Sequence, residues 1–329
     1  MGIKNGGGIP LGSGGWLNII EKYAKAKKYC TEIFEVQRDK FHKGNKKIVV
    51  PIYGEWIGDN KDDSTKRILD ITCQDAASIE WEPNSLDGVF TDPPYFGNVQ
   101  YAELMDFCYV WLRNLVQLNT AAFAPVSTRN ENELTGNDDM QRGLGHFTQG
   151  LSTVFTATAN ALKPHAPFVF TYHHNDITAY YPVAAAILDA GLYCSKVLPC
   201  PTEMSASIHI KGTVSSIIDS IFICRHKKYM TVDINEDLDE LVKADISALL
   251  QGDYTPTKGD IRCIAHGHII RKCVNVLSKK WDAAQTTETK LSIVSQWFSN
   301  QTIKESLNEL MNLTVSKKEK EYCHEFVLV

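Results

Sequence analysis

The chain has 329 residues, 43% apolar and 22% charged, which suits a soluble globular protein of one large or two modest domains with a sizeable core. Its formal net charge of -5 excludes a global basic field, so contact with nucleic acid must rest on local patches: Lys22, Lys25, Lys27 and Lys28; Lys43, Lys46 and Lys47; Arg225, His226, Lys227 and Lys228. The first of these is equally well a solvated helix face. Neither a signal peptide nor a bilayer-length apolar stretch is present, which points to the cytoplasm and away from a membrane. Nine cysteines, at 30, 73, 108, 194, 200, 224, 263, 273 and 323, form no Cys-x-x-Cys pair, and the expectation is reduced, buried thiols without a disulfide framework or zinc site.

Residues 5 to 15 are glycine-rich but follow no apolar strand, so they read as a flexible lead-in rather than a cofactor loop. Helical spacing runs from Trp16 to about residue 40 through Leu17, Ile20, Tyr23 and Tyr29, with Ile33, Phe34 and Val36 continuing it and Gly44-Asn45 closing it. Strands are predicted over residues 48 to 52 and 67 to 73. Asp75-Ala76-Ala77 follows as a turn. There the Asp75 carboxylate is either a cap or an acceptor for the adenine amino group of a nucleoside cofactor.

The next strand, read as buried and central, stops at Asp92 in Val89-Phe90-Thr91-Asp92-Pro93-Pro94-Tyr95-Phe96. Proline donates nothing to a ladder and pushes its predecessor out of the helical region, so the backbone past Asp92 is stiff and extended. The Asp92 carboxylate and the Pro93 carbonyl form a fixed pair of acceptors for both hydrogens of a planar amino group, with the Tyr95 ring available to stack on the heterocycle that carries it. Two such acceptors favour the tetrahedral nitrogen of a methyl-transfer transition state, in which the lone pair is free of the ring.

Leu104, Phe107, Cys108, Trp111, Leu112 and Leu115 give residues 100 to 116 the pattern of an amphipathic helix packed on a sheet, with these residues in the core. The polar stretch 125 to 145 is too long for an idle connector and reads as a loop beside the site or as a surface insertion. A helix over 147 to 162 and a strand over 168 to 172 lead to His173 and His174, which point apart and line a cleft more readily than they share a metal. A helix over 177 to 190 precedes strands at 192 to 198 and 215 to 224, expected to form an antiparallel hairpin, and helices fill 238 to 311. The fold class is α/β: the second half of the Rossmann-like sheet of AdoMet-dependent methyltransferases, followed by C-terminal helices. The expected divisions are a lead-in to residue 47, a catalytic domain over 48 to 228 and a helical region from 229.

Asp75-Ala76-Ala77, Ser85 through Phe107 with its Asp-Pro-Pro-Tyr-Phe-Gly-Asn core, Phe170 through His174, Gly191-Leu192-Tyr193 and Pro201-Thr202-Glu203 together resemble the large adenine-specific DNA methylases of the phage-defence-associated type. The resemblance runs from about residue 12 to past 270. It implies Asp92, Pro93, Pro94 and Tyr95 as the target-amine site, Asp75 as a cofactor adenine contact, and Phe96, Asn98, Tyr101, His173, His174 and Glu203 as cleft residues. The implied activity is N6 methylation of a flipped adenine with S-adenosyl-L-methionine as cofactor and DNA as partner. The family's upstream Asp-Pro-Phe-x-Gly-x-Gly loop and ribose-binding acid have no counterpart here, so either a second polypeptide supplies that half or the chain binds AdoMet weakly or not at all. An RNA or cytosine-N4 enzyme, and a non-catalytic DNA- or partner-binding remnant, are the other readings.

Overall fold

In the computed structural model of the chain, residues 3–4, 10–11, 16–38, 47–52, 70–97, 99–116, 120–202, 216–229, 237–311 and 313 are described, and the chain divides into two units, 1–73 and 74–329. In the first, β1 (Ile3–Lys4) pairs antiparallel with β2 (Pro10–Leu11). Helix α1 (Trp16–Thr31) precedes a hairpin of β3 (Phe34–Arg38) and β4 (Lys47–Pro51), with Val36 in register opposite Val49. The expected helix to residue 40 therefore stops nine residues short, at Thr31. Phe34 and Val36 alternate with Glu35 and Gln37, which is the period of a strand, and that alternation outweighs their helical spacing to the residues before. Gly44-Asn45 lies outside the described residues. The strand expected over 67 to 73 is absent from its described part, Asp70 to Cys73.

The second unit is a mixed α/β structure around a four-stranded sheet. Its strands are β5 (Val89–Thr91), β6 (Phe168–Tyr172), β7 (Leu192–Pro201) and β8 (Ile218–His226), in the order β5-β6-β8-β7. β5 and β6 are parallel, and β8 runs antiparallel to both β6 and β7. Phe168, Phe170 and Tyr172 alternate inward from β6, and Phe170 stacks on Phe222 of β8 with centroids 4.9 Å apart. α2 (Tyr101–Val116) follows β5, α3 (Leu144–Ala161) precedes β6, and α4 (Tyr181–Asp189) lies between β6 and β7. α5 (Leu238–Gln251), α6 (Lys258–Leu277), α7 (Thr287–Phe298) and α8 (Gln301–Met311) complete the unit and share its core through Leu249, Ile264, Ile269, Val294 and Leu310.

α6 lies directly on β7 and β8. The approach is close at Gly267, where an added Cβ would come within 2.7 Å of Ser220 Oγ and 2.9 Å of Val197 Cγ1. A bulge at Cys194/Lys196 frees backbone groups of β7, and the Asn275 side chain of α6 takes both: Cys194 N–H donates to its oxygen at 3.1 Å and its amide donates to Cys194 O at 3.0 Å.

Two expectations need correction. In α2, Phe107, Trp111 and Leu115 are 74%, 67% and 77% exposed, and Leu104, Cys108 and Leu112 are exposed too; the stripe expected in the core faces out. Only Ala102 and Tyr109 are buried, because the polar side of the helix is occupied instead: Asp106 accepts from Ser127 Oγ at 2.6 Å and Thr128 N–H at 2.6 Å, and Tyr109 donates to Pro125 O at 2.7 Å. The cysteines divide: Cys194, Cys224, Cys263 and Cys273 are buried, whereas Cys30, Cys73 and Cys108 are exposed, and none of those described is bonded to another. In the basic cluster at 225 to 228, Arg225 donates to His165 O at 2.6 Å, His226 lies 2.8 Å from Ala159 O and Lys227 donates to Ser278 O, while Lys227 and Lys228 stay exposed. Among the described residues no helix is long and apolar enough to cross a membrane.

Asp260, fully buried at the third position of α6, fastens that helix to the start of β8. Its Oδ1 accepts from Ser216 Oγ at 2.7 Å and Ile217 N–H at 3.1 Å; its Oδ2 accepts from Tyr254 OH at 2.8 Å and from Thr257 N–H at 2.7 Å and Oγ1 at 2.8 Å, closing a capping box. Burial alone would raise the pKa of this carboxyl, but the hydrogen bonds from Ser216, Thr257 and Tyr254 outweigh it and hold the group below the ordinary carboxylate range. Asp260→Asn should therefore cost about 3 kcal/mol at neutral pH, since an amide turns donors toward donors. A folded-state pKa below the unfolded one contributes stability above the unfolded value, about 3.9, and loses it as pH falls further. In urea melts the gap between wild type and variant should accordingly close below about pH 4.

Candidate functional site

The antiparallel course of β8 brings its first residues to the edge where β5 and β6 end, and the candidate site is built there. Past Thr91 the chain leaves the sheet at Asp92, whose side chain is exposed, and Pro93 is buried behind it. Asp92 Oδ1 accepts from the Thr171 hydroxyl of β6 and lies 3.2 Å from the Tyr95 phenol oxygen. Among the described residues neither Asp92 Oδ2 nor the Pro93 carbonyl has a hydrogen-bond partner.

Tyr95 is turned back toward the sheet. Its single phenol proton has its shortest contact, 2.7 Å, with Oδ2 of Asp219 on β8, and Thr171 Oγ1 is 3.3 Å away. The ring packs on Tyr172 at 5.2 Å, tilted by 60°. Burial first, and then the neighbouring Asp219 and Asp92 carboxylates, push the phenol well above its usual pKa; it is a neutral donor at physiological pH. Tyr101, half exposed at the start of α2, has its pKa raised by burial and then by the charge of Asp92.

Phe96, expected in the cleft, has its ring edge-on to Phe147 at 5.4 Å, and Gly136 leaves room for that ring: an added Cβ would meet it at 2.8 Å. Its N–H donates to Tyr172 OH at 3.2 Å, and Tyr172 in turn donates to Ala179 O at 2.9 Å. Gly97 then turns the chain with φ of +68°, a conformation that favours glycine.

His173 faces inward, with Nδ1 3.0 Å from Ile218 O, 3.3 Å from Cys263 Sγ and 4.0 Å from Asp219 Oδ1. His174 instead closes a local turn, its Nδ1 accepting from Asp176 N–H at 2.9 Å, and burial lowers its pKa. The two rings do not converge, and no three metal-ligating side chains cluster among the described residues. Asn98 and Glu203 lie outside the described residues.

Asp75 caps a short turn over Ala76–Ser78, accepting from Ala77 N–H at 3.0 Å and Ser78 Oγ at 3.0 Å. It also lines a cleft of about 400 Å³ with Ala77, Asn132, His146, Gln149 and Thr153. His146 Nδ1, on that cleft, is buried without a hydrogen-bond partner. The loop from 125 to 145 supplies one wall and is fastened to the start of α2, with Gln100 Nε2 donating to Gly136 O at 2.6 Å and Ala102 N–H donating to Glu133 Oε1 at 3.1 Å. A second cleft of about 300 Å³ runs along β5, bordered by Ile79, Trp81, Leu86, Phe90 and Phe168.

Sequence reasoning passed over Thr171 and Asp219. For Asp219 a signal existed: a carboxylate set between Ile218 and Ile221 in an otherwise apolar strand is costly unless something local needs it. No protein-family model matches the chain, and no curated protein or solved structure matches it significantly.

Tyr172→Phe should destabilise the protein by about 1–3 kcal/mol, because the Phe96 N–H loses its acceptor in a partly buried place. Hydrogen exchange is the direct check: the Phe96 amide should lose protection in this variant while amides of β7 keep theirs.

Proposed function

We propose that this chain provides the acceptor half of an AdoMet-dependent methyltransferase acting on an exocyclic amino group, with adenine N6 in DNA as the substrate. The observation that carries the reading is the exposed Asp92 carboxylate, held past the carboxyl end of a strand and followed by Pro93, with the Tyr95 hydroxyl 3.2 Å from it and anchored on Asp219. The sheet supports it as well. Two parallel strands followed by a hairpin whose second strand inserts antiparallel are compatible with the second half of a Rossmann-like methyltransferase sheet.

In this reading a base is flipped out of its stack, at a cost of a few kcal/mol, and enters with its amine toward Asp92. Asp92 and the Pro93 carbonyl accept its two hydrogens and favour the pyramidal nitrogen; the Tyr95 ring bears on the heterocycle. Tyr95, a neutral phenol anchored by its oxygen, takes no proton. Asp92 is the group placed to bear the positive charge that develops on the nitrogen and to accept its proton.

AdoMet supplies the methyl group when bound, and the residues present suit only part of it. Asp75, Asn132, His146 and Gln149 offer polar atoms to an adenine-sized ring in the 400 Å³ cleft. Among the described residues β5 is the outer strand of its sheet, and the 329 residues hold no strand followed by a glycine loop for the methionine end. The donor half is therefore assigned to polypeptide outside these 329 residues.

The test is transfer of labelled methyl from AdoMet to duplex DNA by this chain combined with a polypeptide carrying the glycine loop. Asp92→Ala should lower transfer by about 10²–10³ while leaving thermal unfolding nearly unchanged, since the side chain is exposed. Undiminished transfer by the variant would sink the assignment. Transfer to RNA in preference to DNA would move the substrate, and an assembly that binds no AdoMet by calorimetry would favour the binding-module reading.

A further inference from the structure

The acceptor site contains a second carboxylate that the chemistry just described does not use. Asp219 is 9% exposed, sits in β8 between two hydrogen-bonded neighbours, and directs Oδ2 at the Tyr95 phenol from 2.7 Å. No lysine or arginine pairs with it among the described residues. The nearest basic group is His173, whose Nδ1 is 4.0 Å from Oδ1 and closer, at 3.0 Å, to the Ile218 carbonyl. A buried carboxylate is costly to a strand unless it is hydrogen-bonded, and here the Tyr95 hydroxyl is the donor. What it achieves locally is a fixed direction for one phenol, 124 residues away along the chain.

Tyr95 packs against the core, with its ring 5.2 Å from Tyr172 at a tilt of 60° and 6.5 Å from His173. Of the groups around its hydroxyl, Asp92 at 3.2 Å belongs to an exposed side chain and Thr171 at 3.3 Å turns its own proton to Asp92. The bond to Asp219 is the shortest and the most firmly backed, because β8 is held on both sides and its start is fastened to α6 through Asp260. Thr171 links the two acids indirectly: its hydroxyl donates to Asp92 and its oxygen lies 3.3 Å from the phenol.

We propose that Asp219 is the positioning residue of this site, clamping the Tyr95 hydroxyl so that the ring stands in the plane on which a flat heteroaromatic ring stacks. This rests on the amino-methyltransferase reading for what stacks there. The clamp itself is a property of the fold.

The experiment uses the full chain and a single-stranded oligonucleotide bearing one 2-aminopurine, whose fluorescence falls on stacking. Asp219→Leu, which removes the acceptor but suits an apolar strand, should weaken the quenched complex about tenfold, as should Tyr95→Phe. The double variant should be no worse than either single one, and Asp219→Asn, which keeps an acceptor oxygen, should stay within about threefold of wild type. In parallel, tyrosine labelled with ¹³C at Cζ reports the clamp without any ligand. The Tyr95 signal, assigned by its loss in Tyr95→Phe, should move in Asp219→Leu and stay in place in Asp219→Asn. A folded Asp219→Leu protein that quenches like wild type overturns the positioning role, as does an additive double variant. Absence of quenching by the wild type, with the ¹³C signals behaving as stated, instead overturns the proposed substrate and leaves the clamp standing.

Discussion

The arrangement of the second unit depends on one strand running against its neighbours. Because β8 is antiparallel, Ser216 to Ser220 begin at the edge where β5 and β6 finish, and that edge acquires a carboxylate that neither parallel strand could bring. The same reversal hands Ile217 and Ser216 to Asp260, so the strand that shapes the site is also the strand α6 secures. Gly267 and Asn275 keep α6 close enough to do so, one by having no side chain where Ser220 and Val197 press in and the other by answering the bulge at Cys194.

Around Tyr95 three oxygens compete for very few protons. The phenol proton goes to Asp219 and the Thr171 proton to Asp92, so one carboxylate is spent on geometry and the other keeps an oxygen facing outward. This division of labour follows from burial. Asp219 is enclosed by the sheet and can serve only as a fixed acceptor, whereas Asp92 lies past a strand end that proline keeps straight.

Much of this was legible in the residues. An apolar run halted by Asp-Pro-Pro announced the strand end, and the apolar run from Phe168 to Tyr172 announced the next strand. The first of these was expected to be buried and central, whereas β5 is the outer strand among those described, with Phe90 77% exposed; an apolar run does not say how many neighbours a strand has. The failures have physical causes. Helical spacing in α2 identified a stripe but not which side of it meets protein; the side that does is the polar one, because Asp106 and Tyr109 bind the loop after the helix. Phe34 and Val36 satisfied two periods at once, and pairing with β4 decided between them. Asp219 makes its contact across 124 residues, a distance at which pattern along the chain carries no information.

That Asp92 stands on the outermost strand, open to water, has an electrostatic consequence. The attraction between a carboxylate and a partial positive charge scales inversely with the effective dielectric constant, about 80 in water and about 20 at a protein surface that excludes most of it. Covering the free side of β5, where Phe90 is 77% exposed, would strengthen the pull of Asp92 on an amine roughly fourfold without moving an atom of the site. Solvent access along that strand thus acts as a volume control on a charge whose position is already set.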